Sequence, residues 1–161
     1  MPSRYKEYSI EDFDKFDCLK LSRIFYLVLL FVLRGYFIWL ISVTNMKDRV
    51  ATMQWVYPET NLFFLSLASG TIGLFVIFII SLRRPEAYNW VTKFWPHSRT
   101  LLIFALFFDL MVNLVGYFYW QLTSISWLIS QTVIVIAFTL LCFKSKRMQI
   151  NLTEFPQKLP E

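Results

Sequence analysis

LLFVLRGYFIWL, residues 29–40, is an apolar stretch with one charge, Arg34, near its middle. It lies inside a longer apolar run, residues 24–43, that is about 30 Å long as a helix, the thickness of a bilayer's hydrocarbon. A guanidinium at that depth has to face protein or a wet cavity, because a charge at the bilayer centre costs about 2.5–3.5 kcal/mol even on translocon scales. The fold must therefore bring a partner to Arg34.

Three further runs, residues 62–82, 101–120 and 125–143, have the same length and character. The chain is 57% hydrophobic and 19% aromatic over 161 residues, more apolar surface than a soluble domain of this size can hide. Spanning segments satisfy their backbone groups as helices, since isolated strands could not do so in lipid. The sequence thus predicts an all-α polytopic membrane protein, a four-transmembrane-helix antiparallel bundle. Residues 1–20 form a cytoplasmic N-terminal segment, 21–143 the transmembrane domain and 144–161 a cytoplasmic C-terminal tail. The first run is expected to stay as a helix, because no small-residue cleavage site follows it.

Direction follows from the cations. Of the sixteen Lys and Arg, only Lys47 and Arg49 fall on the outer side and Arg34 within a span; the rest lie in the N-terminal segment, the second loop and the tail. The positive-inside rule then puts both termini in the cytoplasm. Clustering at the ends of apolar runs accounts for the net charge of +5 without a nucleic-acid partner. Cys18 and Cys142 have neither metal-ligand nor disulfide-framework spacing and face the reducing side in this arrangement. Trp39, Trp55, Tyr57, Tyr117, Tyr119, Trp120 and Trp127 gather at the outer boundary, as an aromatic belt does.

The connections carry weaker signals. Arg83-Arg84-Pro85 ends the second helix. In EAYNWVTKFW, residues 86–95, the apolar positions Ala87, Tyr88, Val91, Phe94 and Trp95 recur at helical spacing, which suits either a short interfacial helix or a loop with aromatic anchors. Val50, Met53 and Tyr57 in the outer loop could form a second surface helix, and Thr60 and Asn61 suit a helix start. The acidic segment before the first span has a loose capping box in Ser9 and Asp12. It reads either as a solvated tail or as a segment docked on the basic second loop.

The stretch from Tyr8 to Asp14, then Leu19-Lys20-Leu21, Leu33-Arg34-Gly35-Tyr36, Tyr57-Pro58, Ser69-Gly70 and Arg83-Arg84-Pro85 resembles the YfeZ-like family of small inner-membrane proteins from gamma-proteobacteria, a domain-of-unknown-function family. The resemblance covers nearly the whole chain and is strongest in its first half. It implies a four-helix protein of the bacterial inner membrane and brings no catalytic residue, cofactor or substrate.

Depth selects the partners of Arg34. It lies about 15 Å into its run; Asp109 lies about 12 Å and Asn113 about 18 Å into the third run from the same side. Gln131 lies about 18 Å from the cytoplasmic end of the fourth run. A helical side chain leans toward its own N-terminus, which carries Arg34 toward the level of Asp109. These residues form a candidate polar layer centred on an Arg34–Asp109 pair, since a guanidinium can bond a carboxylate and an amide together. The alternative has Arg34 snorkelling to the headgroups and Asp109 protonated and unrelated to it. Ser66, Ser69, Gly70 and Gly73 form two small-xxx-small pairs on the second helix, a candidate packing seam within the chain or between protomers.

Catalytic chemistry is not indicated. His97 is a lone loop histidine, and no phosphate-binding, dinucleotide-binding or HExxH zinc pattern occurs. No metal or cofactor is expected. The reading is a non-enzymatic integral membrane protein acting in the lipid bilayer through helix packing with itself or another membrane protein. The alternative is a small transporter or channel subunit using Arg34 and Asp109; a membrane enzyme ranks third.

Overall fold

In the computed structural model, residues 8–44, 60–121 and 124–157 are described, together with Tyr5, Gln54 and Tyr57. The surface helix expected around Val50 and Met53 lies outside them, as do Trp55 and the side chain of Trp120. The described residues are helical, with a single antiparallel bridge between Phe13 and Leu19. In chain order the helices are α1 (Arg23–Val32), α2 (Arg34–Thr44), α3 (Thr60–Ser81), α4 (Asn89–Phe94), α5 (Ser98–Trp120), α6 (Ile125–Lys144) and α7 (Lys146–Thr153). Short 3₁₀ turns occupy Ile10–Asp12 and Trp95–His97.

Three of these helical stretches are long and apolar enough to cross a membrane, and the pair α1–α2 makes a fourth if it counts as one span. The expectation of one continuous first helix is corrected here. The chain breaks at Leu33, whose φ of −87° and ψ of 4° lie in the bridge region, and the two halves meet at a bend of 58°. No proline is involved. At the break the Arg34 Nη1 donates to the Phe31 carbonyl at 3.1 Å. A polar side chain entering the backbone ladder in this way is a recognised cause of a kink.

Packing explains where the small residues fall. α3 and α5 form the most extensive helix pair, α6 lies on α5 and α1, and α1–α2 close over α3. Gly70 lets the first helix pair approach: a Cβ there would stand 2.8 Å from the Tyr36 ring and 3.3 Å from the Val32 carbonyl oxygen. Gly73 faces Val32 and Leu33, and on α5 Gly116 makes room for Leu62. The Gly70–Gly73 seam thus lies inside the chain. Gly70→Val is expected to destabilise the protein by about 1–3 kcal/mol through overpacking, read as a lower thermal midpoint in detergent. An unchanged midpoint would mean that α2 moves off α3 at no cost.

Phe25, Val28, Leu29, Val32, Val76, Leu102, Ala105, Leu106 and Val135 make the main core. Large apolar side chains also cover the outside, among them Phe64, Phe104, Phe118, Ile129 and Leu140. Such a surface is matched by lipid rather than water.

The two terminal segments meet at one end of the bundle. Residues 13–19 turn back on themselves, with the Asp14 N–H donating to the Cys18 carbonyl and that of Lys20 to the Asp12 carbonyl, both at 2.8 Å. Asp17 takes the left-handed backbone, φ 54°, that this turn needs and that Asp tolerates. Ser145 caps α7 by accepting the Met148 N–H at 3.2 Å. The helix then buries Met148, Ile150 and Leu152. Its Asn151, fully buried, accepts the Ser22 N–H at 2.9 Å and donates to the Leu19 carbonyl at 2.8 Å. Glu154 accepts the Leu19 N–H at 2.9 Å and the Tyr5 hydroxyl. Arg147 pairs with Asp12 at 2.9 Å and holds that carboxyl below its usual range. The acidic segment is therefore docked, chiefly on α7.

α4 and the 3₁₀ turn after it complete this cap. The helical option for residues 86–95 is realised over Asn89–Phe94, with Val91 and Trp95 turned inward against Ile79. Trp95 is 1% exposed and its indole N–H donates to the carbonyls of Asn151 (2.8 Å) and Glu154 (3.0 Å). Phe25 stacks on one side of it at 6.2 Å, and the Arg83 guanidinium lies 4.6 Å from its ring centre.

Candidate functional site

Four helices, α2, α3, α5 and α6, contribute to one buried polar cluster. Arg34, the first residue of α2, reaches α5, where its Nη2 donates to Asp109 Oδ2 at 2.7 Å. From α6 the Gln131 Nε2 donates to the same oxygen at 2.6 Å. From α3 the Ser69 hydroxyl lies 3.5 Å from Asp109 Oδ1 and donates more closely, at 2.9 Å, to the Ser66 carbonyl. Asp109 is 1% exposed and Gln131 4%, whereas the Arg34 side chain keeps 20%. The ion pair is thus closed at its acid end and partly open at its base.

The break at Leu33 creates this geometry. It ends α1 so that the Phe31 carbonyl can accept from Arg34, whose guanidinium also lies 4.4 Å from the Phe31 ring centre. Three groups, a carboxylate, a carbonyl and an aromatic face, therefore surround the cation. Each answers a different property of guanidinium: charge, donor fork and planarity. Gly35, next in sequence, brings α2 against Ser66, whose hydroxyl oxygen would stand 3.0 Å from a Cβ at that position.

Asn113 sits one turn beyond Asp109 but does not reach the carboxylate. Its side-chain amide donates to the Asp109 backbone carbonyl at 2.8 Å, within its own helix. Of the small residues, Ser69 touches the polar cluster, and Gly70 and Gly73 line the contact with α1–α2. The Ser66 hydroxyl pairs with that of Tyr57 at 2.7 Å.

Phe31 is the member that sequence reading missed. Its ring is indistinguishable by type from the other apolar residues of the run, and its carbonyl becomes a ligand only because the helix breaks. The terminal clasp was missed as well: Met148, Ile150 and Leu152 alternate with Gln149 and Asn151, a spacing of two that does not read as a helix.

In chemical terms the cluster can do two things. It can fix the relative register of four helices, because a buried carboxylate bonded to two charged or polar donors has few other arrangements. It can also exchange a partner at the exposed side of Arg34. Among the described residues no group of acidic, His and Cys side chains could hold a metal ion.

No curated protein and no solved structure matches this chain. The match of residues 8–154, which contains every element of the cluster and of the terminal clasp but Tyr5, places the chain in the family described as "Protein of unknown function (DUF2919)".

Proposed function

We propose that this is a four-span, non-enzymatic protein of a bacterial inner membrane, of the YfeZ-like kind, with both termini in the cytoplasm. It acts by packing its helices against a membrane partner, either a second copy or another protein. The bonds of Asn151 to Leu19 and Ser22 support an even number of crossings, since they hold the two terminal segments together at one end. The excess of Lys and Arg in those segments supports a cytoplasmic location for that end.

The observation that carries the partner reading is α6. Only 17% of its apolar window is buried within the chain, against 39% for α3. Ile129, Val133, Ile136 and Leu140 stand exposed at spacings of four, three and four, the seam a neighbouring helix reads. Solubilising the full chain in mild detergent and measuring the mass of the assembly tests this. A multimer or a stoichiometric membrane partner is expected, lost when Val133→Trp and Leu140→Trp roughen the seam. A wild-type protein that leaves the membrane as a bare monomer would sink the reading.

One observation favours the alternative, a transporter or channel subunit working through Arg34 and Asp109. Broken helices at mid-membrane depth are where such proteins bind their cargo, and the break at Leu33 adjoins the ion pair. Proton-linked solute uptake in proteoliposomes, abolished by Asp109→Asn, would put this reading first.

A further inference from the structure

A groove of about 640 Å³ runs between α1–α2 and α3 on the outside of the bundle. Leu30, Leu33, Phe37, Ile77 and Ile80 line it, and Arg23 and Tyr26 stand at its cap end. From Arg23 to the bend at Leu33 the helix rises about 15 Å, the depth of one leaflet's hydrocarbon, and the groove continues past the bend to Phe37.

Beyond Ile80 the chain enters a second cavity, of about 980 Å³, whose lining includes Lys15, Arg83 and Arg84 as well as Asp14 and Glu86. Ile80 lines the first cavity and Ser81 the second, and the two have no lining residue in common. Asp14 accepts the Lys15 N–H, and Arg83 is engaged with Trp95 and the Glu154 carbonyl. Arg23 and Arg84 are exposed, and neither guanidinium has an ion pair among the described residues.

We propose that this groove holds one anionic glycerophospholipid, with an acyl chain along α1–α2 and the phosphate at Arg23 at its cap end. The polarity decides the occupant. The groove is apolar along its length and cationic at one end, the pattern of a single-headed amphiphile. A helix of a second copy would present apolar side chains to Arg23. A zwitterionic headgroup brings its own ammonium and gains less from an exposed guanidinium. The proposal rests on the membrane-spanning part of the reading above and is independent of a protein partner.

Full-length protein that sediments with membranes is purified and titrated with equal amounts of phosphatidylglycerol and phosphatidylethanolamine bearing the same acyl chains. Retained lipid is counted by native mass spectrometry. The expected result is preferential retention of one phosphatidylglycerol, the preference falling about fivefold in Arg23→Gln. Leu30→Trp, which fills the groove, is expected to reduce retention of that lipid with Arg23 in place. Equal retention of the two lipids by the wild type would overturn the proposal, as would displacement by inorganic phosphate alone or a lipid-free dimer blocked by Leu30→Trp. Failure to sediment with membranes would instead count against the spanning reading itself.

Discussion

Replacing Arg34 by Leu is expected to lower the stability of the folded protein by about 3–5 kcal/mol, the usual result of removing one partner from a buried ion pair. Asp109, 1% exposed, would keep Gln131 as its nearest donor and lose its counter-charge. The Phe31 carbonyl at the helix break would lose the side-chain donor that satisfies it. Asp109→Leu should be comparably costly, because it strands a guanidinium that is only 20% exposed. The double change Arg34→Leu/Asp109→Leu should cost clearly less than the two single changes added together, since no unpaired charge remains inside. Thermal or denaturant unfolding of the four proteins in one detergent measures the coupling. Strict additivity would mean that the 2.7 Å contact contributes nothing between the two residues.

Trp95→Ala is expected to cost about 3–5 kcal/mol, the range for truncating a large buried aromatic residue. More than volume is lost. The indole holds the Asn151 and Glu154 carbonyls, offers a face to Arg83 and stacks with Phe25. The effect should therefore spread into the terminal clasp, exposing the backbone amides of Leu19 and Ser22 to hydrogen exchange. Trp95→Phe keeps most of the packing and loses the donor, so about 1–2 kcal/mol is expected from two carbonyls left without it. Protection of Leu19 and Ser22 unchanged in Trp95→Ala would show that α7 holds the N-terminal segment without help from the second loop.

Long-range order in depth was readable from the sequence because a spanning helix converts residue number into distance. That is why Arg34, Asp109 and Gln131, far apart in the chain, could be matched by level alone. Rotation about the helix axis has no such ruler. Asn113 is at a suitable depth and on a suitable face, yet it bonds its own backbone, since an amide one turn away reaches a carbonyl more easily than a carboxylate behind it. The break at Leu33 was hidden for a different reason. It has no proline, and its cause is an interaction between Arg34 and Phe31 that exists only once the bend has formed. In the terminal segments the decisive contacts are hydrogen bonds from Asn151 and Glu154 to backbone groups of Leu19 and Ser22. Backbone acceptors and donors carry no residue signature, so such a clasp leaves almost no trace in composition. The charged pair Asp12–Arg147 and the Tyr5–Glu154 bond are side-chain markers of it, and acids and bases are too common in both segments to be matched by inspection.

The clasp also sets an order of events. Leu19 and Ser22 leave the ribosome before any helix of the bundle, and Asn151, which completes their hydrogen bonding, is translated after all of them. During that interval the N-terminal strip has to be hydrated, or shielded by something else, while the apolar helices form. The helices can thus pack before the ends are tied, and the tie between them marks a chain that has been made through at least Glu154.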